Sequence, residues 1–131
     1  MDNQLPTSPY GDFLGIKMLG YEDGNASCSI ELQPQHLNTG GRVHGGVLTS
    51  LADTTAGVAV RSIRPEGQLT ATTDLSISFI RPPKGQELIA TASVIHRGKQ
   101  LYRVEMDIHS GDKLVAKASA TFMLVAPFRK D

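Results

Sequence analysis

The chain lacks several features that would place it outside the ordinary globular class. Its one cysteine, Cys28, has no partner for an internal disulfide, so no oxidising compartment is required. The 13 basic and 13 acidic side chains cancel, which argues against nucleic acid as a partner. No run approaches the roughly 20 apolar residues of a membrane span, and the N-terminus does not resemble a signal peptide. We therefore expect a cytoplasmic protein that binds neither nucleic acid nor membrane.

What the chain does contain fits one sheet-rich domain. The 131 residues match the length of a single domain, expected to span residues 1–131, and the 40% of hydrophobic residues can fill a core. The 13 glycines and seven prolines indicate many turns.

Hydrophobic periodicity predicts the first half of the fold. Ser8 and Pro9 suit the N-cap and first position of a short helix. Residues 26–32 alternate as a half-buried strand does, and Gln33 to Gly46 has the composition of a loop. Val47 to Ile63 carries apolar or small side chains at helical spacing around most of its circumference, so we expect a helix buried nearly all round, ended by Arg64-Pro65.

Four more alternating runs follow, at residues 73–79, 88–94, 102–108 and 114–124. The turns between them, at residues 82–85, 97–99 and 110–112, are short enough to predict that consecutive strands are antiparallel neighbours. The fold class is then α+β, with an antiparallel sheet of about five to six strands wrapped around one long central helix. Because such a sheet has open edges, we expect association into at least a dimer.

A glycine-rich loop from Asn38 to Gly46 leads directly into the long helix. The first-turn N–H groups of a helix lack internal partners, and glycines let a ligand approach them closely, so this segment suits an anion or a developing oxyanion. The glycines could equally serve only to permit a sharp turn. No Lys-Ser or Lys-Thr follows them, so the segment is not a phosphate-binding P-loop.

Asp53 stands out because the rest of its helix is apolar or small. A carboxylate there is costly unless it is paired or used, which favours a base or nucleophile over a side chain that reaches solvent or pairs with an arginine. Gly45 lies eight positions earlier, roughly 12 Å along a helix, so one carbonyl group cannot contact both from one chain. If both act, they come from different chains of a symmetric dimer.

These residues resemble the hotdog-fold acyl-CoA thioesterases of the PaaI-like family. The match comprises Asn38 six residues before His44-Gly45-Gly46, Asp53 nine residues after His44, and the strand Thr72 to Phe79 followed by Ile80-Arg81-Pro82. The resemblance extends from about Gly11 to Leu124. It implies hydrolysis of an acyl-CoA by a dimer that often pairs into a tetramer.

The resemblance also implies roles for individual residues. Asp53 would be the nucleophile or general base, and the Gly45 N–H of the partner chain would polarise the thioester oxygen. Asn38 would position water or the leaving group, His44 would shape the loop, and Thr72 would assist. Further substrate-binding positions are Gly46, Thr73 and, for the phosphates of CoA, Arg81, Lys84, Arg97 and Lys99; ordinary solvated turn charges are the competing interpretation for these four.

No metal or cofactor is expected, because the four histidines show no ligand spacing. Two other functions stay open. One is a hotdog enoyl-CoA hydratase or dehydratase that uses His44 with Asp53, and the other is a non-catalytic acyl-CoA-binding module. Cys28 alternates with core residues and is expected to pack rather than react.

Overall fold

A computed structural model describes residues 7–126. Its elements are α1 (Pro9–Leu14), β1 (Ile16–Glu22), β2 (Asn25–Glu31), a 3-10 turn (Pro34–His36), α2 (Gly45–Arg61), β3 (Leu69–Phe79), β4 (Glu87–Arg97), β5 (Leu101–Ser110) and β6 (Lys113–Val125). Within this range the strands form one antiparallel sheet in the order β1-β2-β4-β5-β6-β3, curled against α2. The predicted α+β architecture is confirmed. Neither helix of residues 7–126 is long and apolar enough to cross a membrane.

The long helix packs one face against the sheet. A stripe at three- and four-residue spacing is fully buried, namely Val47, Leu48, Leu51, Ala52, Thr55, Ala56, Ala59 and Val60. The opposite side, which includes Asp53, Thr54, Gly57 and Val58, is only half-buried. The expectation of burial nearly all round is therefore wrong for the single chain, because the sheet covers one face and nothing within residues 7–126 fully covers the other.

The ends of both helices follow from capping chemistry. In α1 the Ser8 hydroxyl accepts a hydrogen bond from the Gly11 N–H at 2.9 Å, which confirms the predicted cap. In α2 the cap is His44, so the helix begins at Gly45, two residues before the predicted start, and it ends at Arg61 rather than Ile63. The additional first turn places the glycines inside the helix, where their N–H groups point outward from its N-terminus.

Two short elements of the structure are not predicted by the sequence patterns. Strand β1 was not predicted, because the bulge between Met18 and Gly20 interrupts its alternation. The 3-10 turn Pro34–His36 lies inside the segment interpreted as a loop.

The neighbour of β3 in the sheet also differs from the prediction, which placed β3 beside β4. The 97–99 and 110–112 turns join adjacent strands, but β3 pairs with β6 while β4 pairs with β2 and β5. The connection of residues 80–86 thus spans two intervening strands, roughly 14 Å at sheet spacing, and seven extended residues can cover that distance. Strand β3 becomes an 11-residue edge of the sheet, with Leu69 and Phe79 exposed at its two ends.

Candidate active site

The Asp53 carboxylate is held by a hydroxyl from the edge strand. The Thr72 Oγ1 donates a hydrogen bond to Asp53 Oδ1 at 2.7 Å, joining the half-buried side of α2 to β3. A bulge between Thr72 and Asp74 shifts the register at this point. The structure thus brings together two of the side chains that the sequence singled out.

Thr73 makes different contacts. Its hydroxyl donates to the Thr121 carbonyl of β6 at 3.1 Å and lies 3.5 Å from Asp74. Asp74 in turn forms an ion pair with Arg103, whose guanidinium also donates to hydroxyls of β6. The structure therefore does not bring Thr73 to the Asp53 carboxylate.

The amides around the start of α2 differ in whether they have an acceptor. The His44 Nδ1 accepts the Gly46 N–H at 2.9 Å, so the Gly46 amide expected to bind substrate already has a partner. The His44 N–H donates to the His36 carbonyl at 2.8 Å, and the Val47 N–H donates to the His44 carbonyl. Within residues 7–126 the Gly45 N–H has no acceptor, which leaves it available to a ligand at the positive end of the helix dipole.

Asn38 shapes the same loop. Its Oδ1 accepts the N–H groups of Gly40 at 2.9 Å and Arg42 at 3.1 Å, which closes the turn that precedes the helix. The side-chain amide group has no acceptor among the described residues. Asn38, Gly45 and Arg81 line one cavity of about 310 Å³, and the ring of Phe79 forms a wall of it, so close to Gly45 that an added Cβ would lie 3.3 Å from Cζ.

The four basic residues proposed for CoA separate into two groups. Arg81 and Lys84 share a cavity of about 500 Å³ with Lys113, at the end of the sheet where α2 begins. Arg97 and Lys99 belong to the β4–β5 hairpin at the opposite end, and Arg97 covers the Tyr102 ring at 5.9 Å from its centroid. The sequence does not predict Lys113 as a member of this group, because it is distant from Arg81 and Lys84 along the chain and only the fold places it beside them.

Cys28 and the histidines do not add a second centre. Cys28 is buried in the core, and burial raises the pKa of its thiol, so the reactive thiolate is disfavoured. His36 is also buried; its Nδ1 accepts the Gln33 N–H, so its Nε2 donates to the Leu14 carbonyl at 2.7 Å. Among residues 7–126 no three His, Cys, Asp or Glu side chains lie close enough to hold a metal ion.

The two functional groups of α2 lie apart. Asp53 and the Gly45 amide are eight residues distant in one continuous helix, roughly 12 Å along its axis. One is a carboxylate that can attack or deprotonate, and the other is a donor that can stabilise an oxyanion. These are the two kinds of group that hydrolysis at a carbonyl carbon requires.

Comparisons with known proteins give the family. Residues 40–117 match the thioesterase superfamily. The acyl-coenzyme A thioesterase PaaI of Escherichia coli K12 is 37% identical over 106 residues, which are 79% of this chain and 73% of that protein. The conserved protein PA5202 of Pseudomonas aeruginosa superposes with a TM-score of 0.88 at 34% identity, covering 91% of this chain and 95% of that one. For the BH2602 protein of Bacillus halodurans, solved with CoA, the TM-score is 0.85 at 29% identity, with 93% and 82% covered.

The chain belongs to the thioesterase superfamily. It is a thioester hydrolase with a hotdog fold of the PaaI-like type, which confirms the family resemblance drawn from residues 38–53 and 72–82.

Proposed function

We propose that the protein hydrolyses acyl-CoA thioesters at active sites shared between two protomers. The observation that carries the proposal is the position of Asp53 and the free Gly45 N–H on one rigid helix. Both groups must lie about 3 Å from the reacting thioester, which a separation of roughly 12 Å forbids within one chain.

The edge strand offers a way to complete the site. Thr72 is bonded to Asp53, while Phe79 packs against Gly45 at the other end of β3. If the unpaired edges of two β3 strands join antiparallel with Thr72 opposite Phe79 of the partner subunit, Gly45 of the partner subunit comes next to Asp53. The same symmetry operation forms a second, identical site. A tetramer would require a further contact between two such dimers.

In this site the Asp53 carboxylate either attacks the thioester carbonyl carbon or takes a proton from the water that attacks it. The Gly45 N–H of the partner subunit binds the oxyanion that forms. The carbon–sulfur bond then breaks, and the sulfur leaves as the CoA thiolate and is protonated. When water is the nucleophile, the acyl group leaves directly as a carboxylic acid; when Asp53 is the nucleophile, the acyl group stays on Asp53 as a mixed anhydride, which a water molecule hydrolyses to the acid and the free carboxylate. Thr72 holds the carboxylate, Asn38 lines the cavity beside Gly45, and His44 fixes the loop through the Gly46 N–H.

The basic cavity supports CoA as the leaving group. Arg81 lines both this cavity and the one beside Gly45, so the two are adjacent. Three cations around one cavity suit the phosphates of CoA, which require charge-assisted hydrogen bonds. The BH2602 relative was solved with CoA, which supports CoA as a ligand of this protein as well.

A pair of substitutions isolates the Gly45 amide. Gly45→Pro removes the N–H, and proline is favoured at the first position of a helix, where the extended His44 backbone accommodates it. Gly45→Ala is the matched control, because it introduces the same Cβ against Phe79 but keeps the N–H. Loss of one oxyanion donor should lower kcat about 100-fold or more in the proline variant relative to the alanine variant. Equal rates of CoA thiol release would remove the amide from the mechanism.

Mixed dimers test the shared site. Asp53→Asn alone should lower turnover by orders of magnitude without unfolding the protein. When Asp53→Asn and Gly45→Pro chains are mixed, each heterodimer regains one intact site, so about a quarter of the wild-type activity should return. If each site lay within one chain, mixing would restore nothing.

The same assays address the other two functions. Hydration of an enoyl-CoA with its thioester intact would favour the hydratase. Tight acyl-CoA binding without turnover across a broad panel would favour the binding module.

A further inference from the structure

A groove extends from the Asp53 side of α2 towards the C-terminus of that helix. Its helical wall consists of Thr54, Gly57, Val58 and Arg61, which share one face at three- and four-residue spacing. Other walls come from the start of α1 and from β1, β2 and β3, and the cavity has a volume of about 340 Å³. This is large enough for a small organic group.

The groove is mostly apolar, with the hydroxyl residues Thr7, Ser8, Thr54 and Thr70 also in its lining, and it is basic at its far end. Ile16, Met18, Cys28, Val58 and Leu69 supply hydrocarbon and thiol surface. Arg61 and Arg64 line it at the end of α2, eight or more residues beyond Asp53, which is roughly 12 Å along the helix axis. Thr54, the residue next to Asp53, also lines the groove, so a substituent that enters beside Asp53 and follows the groove comes within reach of the two guanidinium groups.

These two arginines have no carboxylate partner among residues 7–126. The ion pairs of this range involve Arg103 and Lys117 only, and Glu66, which lines the neighbouring cavity with both arginines, pairs with neither. Arg64 donates one hydrogen bond, to the Pro65 carbonyl at 3.3 Å. Partial burial and the nearby charge of Arg61 lower the pKa of the Arg64 guanidinium. Two neighbouring cations without a carboxylate partner at the end of this groove attract an anion.

The arrangement of charges assigns this groove to the acyl group. On the proposed function, the Gly45 side of the site belongs to the partner subunit and leads to the basic cavity of Arg81, Lys84 and Lys113, where CoA departs. The acyl chain must leave the thioester in the other direction, into the groove beside Asp53.

We infer that the preferred substrates are CoA monothioesters of dicarboxylic acids, whose distal carboxylate binds Arg61 and Arg64 while the methylene chain lies in the groove. This inference rests on the proposed function. A carboxylate is the anion that a guanidinium binds in bidentate geometry, and a carbon chain matches the apolar walls. The phosphates of CoA are the other anions that could reach these arginines, and the experiment distinguishes the two sources.

The experiment compares acyl-CoA pairs of equal chain length with and without a terminal carboxylate, such as adipyl-CoA with hexanoyl-CoA and suberyl-CoA with octanoyl-CoA. For the wild-type enzyme, kcat/KM should favour the carboxylated member about tenfold at the chain length that reaches the arginines. Arg61→Gln and Arg64→Gln should each reduce this preference about threefold to tenfold, through KM rather than kcat, because the contact is remote from the reacting bond.

Lys17→Gln is the matched control. It also removes one cation, but Lys17 is exposed between Ile16 and Met18, whose side chains line the groove, so strand alternation turns it to the other face of the sheet. Its substrate preference should equal that of the wild type. Dissociation constants of the Asp53→Asn variant for both members of each pair give the same comparison without turnover.

Each outcome decides one of the two claims. Hydrolysis of both members at equal rates would overturn the dicarboxylate inference and leave the thioesterase function intact. An equal rise of KM for both members in the arginine variants would assign the arginines to CoA phosphates and also overturn it. Failure to cleave any thioester would refute the function itself. A carboxylate preference that disappears in both arginine variants, and persists in Lys17→Gln, supports the inference.

Discussion

Removing the Thr72 hydroxyl should slow the enzyme without unfolding it. In Thr72→Val the side chain keeps its shape but can no longer donate to Asp53 Oδ1, which it now does at 2.7 Å. Hydrogen bonds to charged groups contribute about 1.5–3 kcal/mol. Because Thr72 is exposed and Asp53 half-buried, solvent screening reduces this to about 1 kcal/mol, or about a fivefold to tenfold decrease in kcat.

The assay is release of CoA thiol under saturating acyl-CoA, with a urea unfolding curve for each variant. Thr72→Ser keeps a hydroxyl and should recover most of the rate. Thr73→Val is the neighbouring control, since its hydroxyl bonds to Thr121 and Asp74 instead, and it should retain the wild-type rate.

A double-mutant cycle tests whether Thr72 acts through Asp53. In the Asp53→Asn background, Thr72→Val should change the residual rate less than twofold, because groups that act as a unit are not additive. A full wild-type rate in Thr72→Val, or the same decrease in both backgrounds, would refute the reasoning.

Three further predictions concern binding, stability and reactivity. Lys113→Gln should raise the KM for acyl-CoA about threefold with kcat unchanged, an effect that shrinks at high salt if the contact is electrostatic; a change in kcat alone would contradict it. His36→Leu should lower the free energy of unfolding by about 2–4 kcal/mol in urea titrations, because it leaves the buried Leu14 carbonyl and Gln33 N–H without their partner; an unchanged midpoint would contradict it. Since burial raises the pKa of Cys28, the native thiol should react slowly with iodoacetamide at neutral to mildly alkaline pH, and stability should fall as pH rises past the ordinary pKa of a cysteine, where only the unfolded thiol ionises; rapid labelling of folded protein would contradict it.

The regular spacing of apolar residues in the sequence predicts most of the helices and strands. The helix and four of the strands after it follow from apolar side chains at regular spacing, because one side of each element must face the core. Strand β1 escaped because its bulge breaks the alternation between Met18 and Gly20. The neighbours of β3 escaped for another reason: short turns predict pairing only where the chain reverses at once, and residues 80–86 instead cross the end of two other strands.

The residues of the candidate site also include some that the sequence indicated and some that it did not. Asp53 and the glycine-rich loop were visible because a carboxylate and paired glycines are unusual on an apolar helix. Thr72, whose role the family resemblance implied, donates a hydrogen bond to Asp53, and its role in catalysis stays a prediction. Lys113, Arg61 and Arg64 were not found, since no local pattern tells which cations will share a cavity after folding. The sequence also does not predict that the Gly46 N–H donates to His44 Nδ1, because this contact depends on the rotamer of His44.

The rigidity of α2 explains why the proposed active site needs two protomers. A continuous helix keeps the Gly45 amide and Asp53 at a fixed separation of roughly 12 Å, so no side-chain motion can bring them to one carbonyl group. In the proposed dimer each α2 would serve two sites: its N-terminal turn would bind the oxyanion for the partner, and its C-terminal half lines the groove beside its own Asp53. The proposal thereby assigns recognition of CoA and recognition of the acyl group to different protomers. Substitutions of Arg61 should affect the site that contains the same chain's Asp53, whereas substitutions of Arg81 should affect the site completed by the partner's carboxylate.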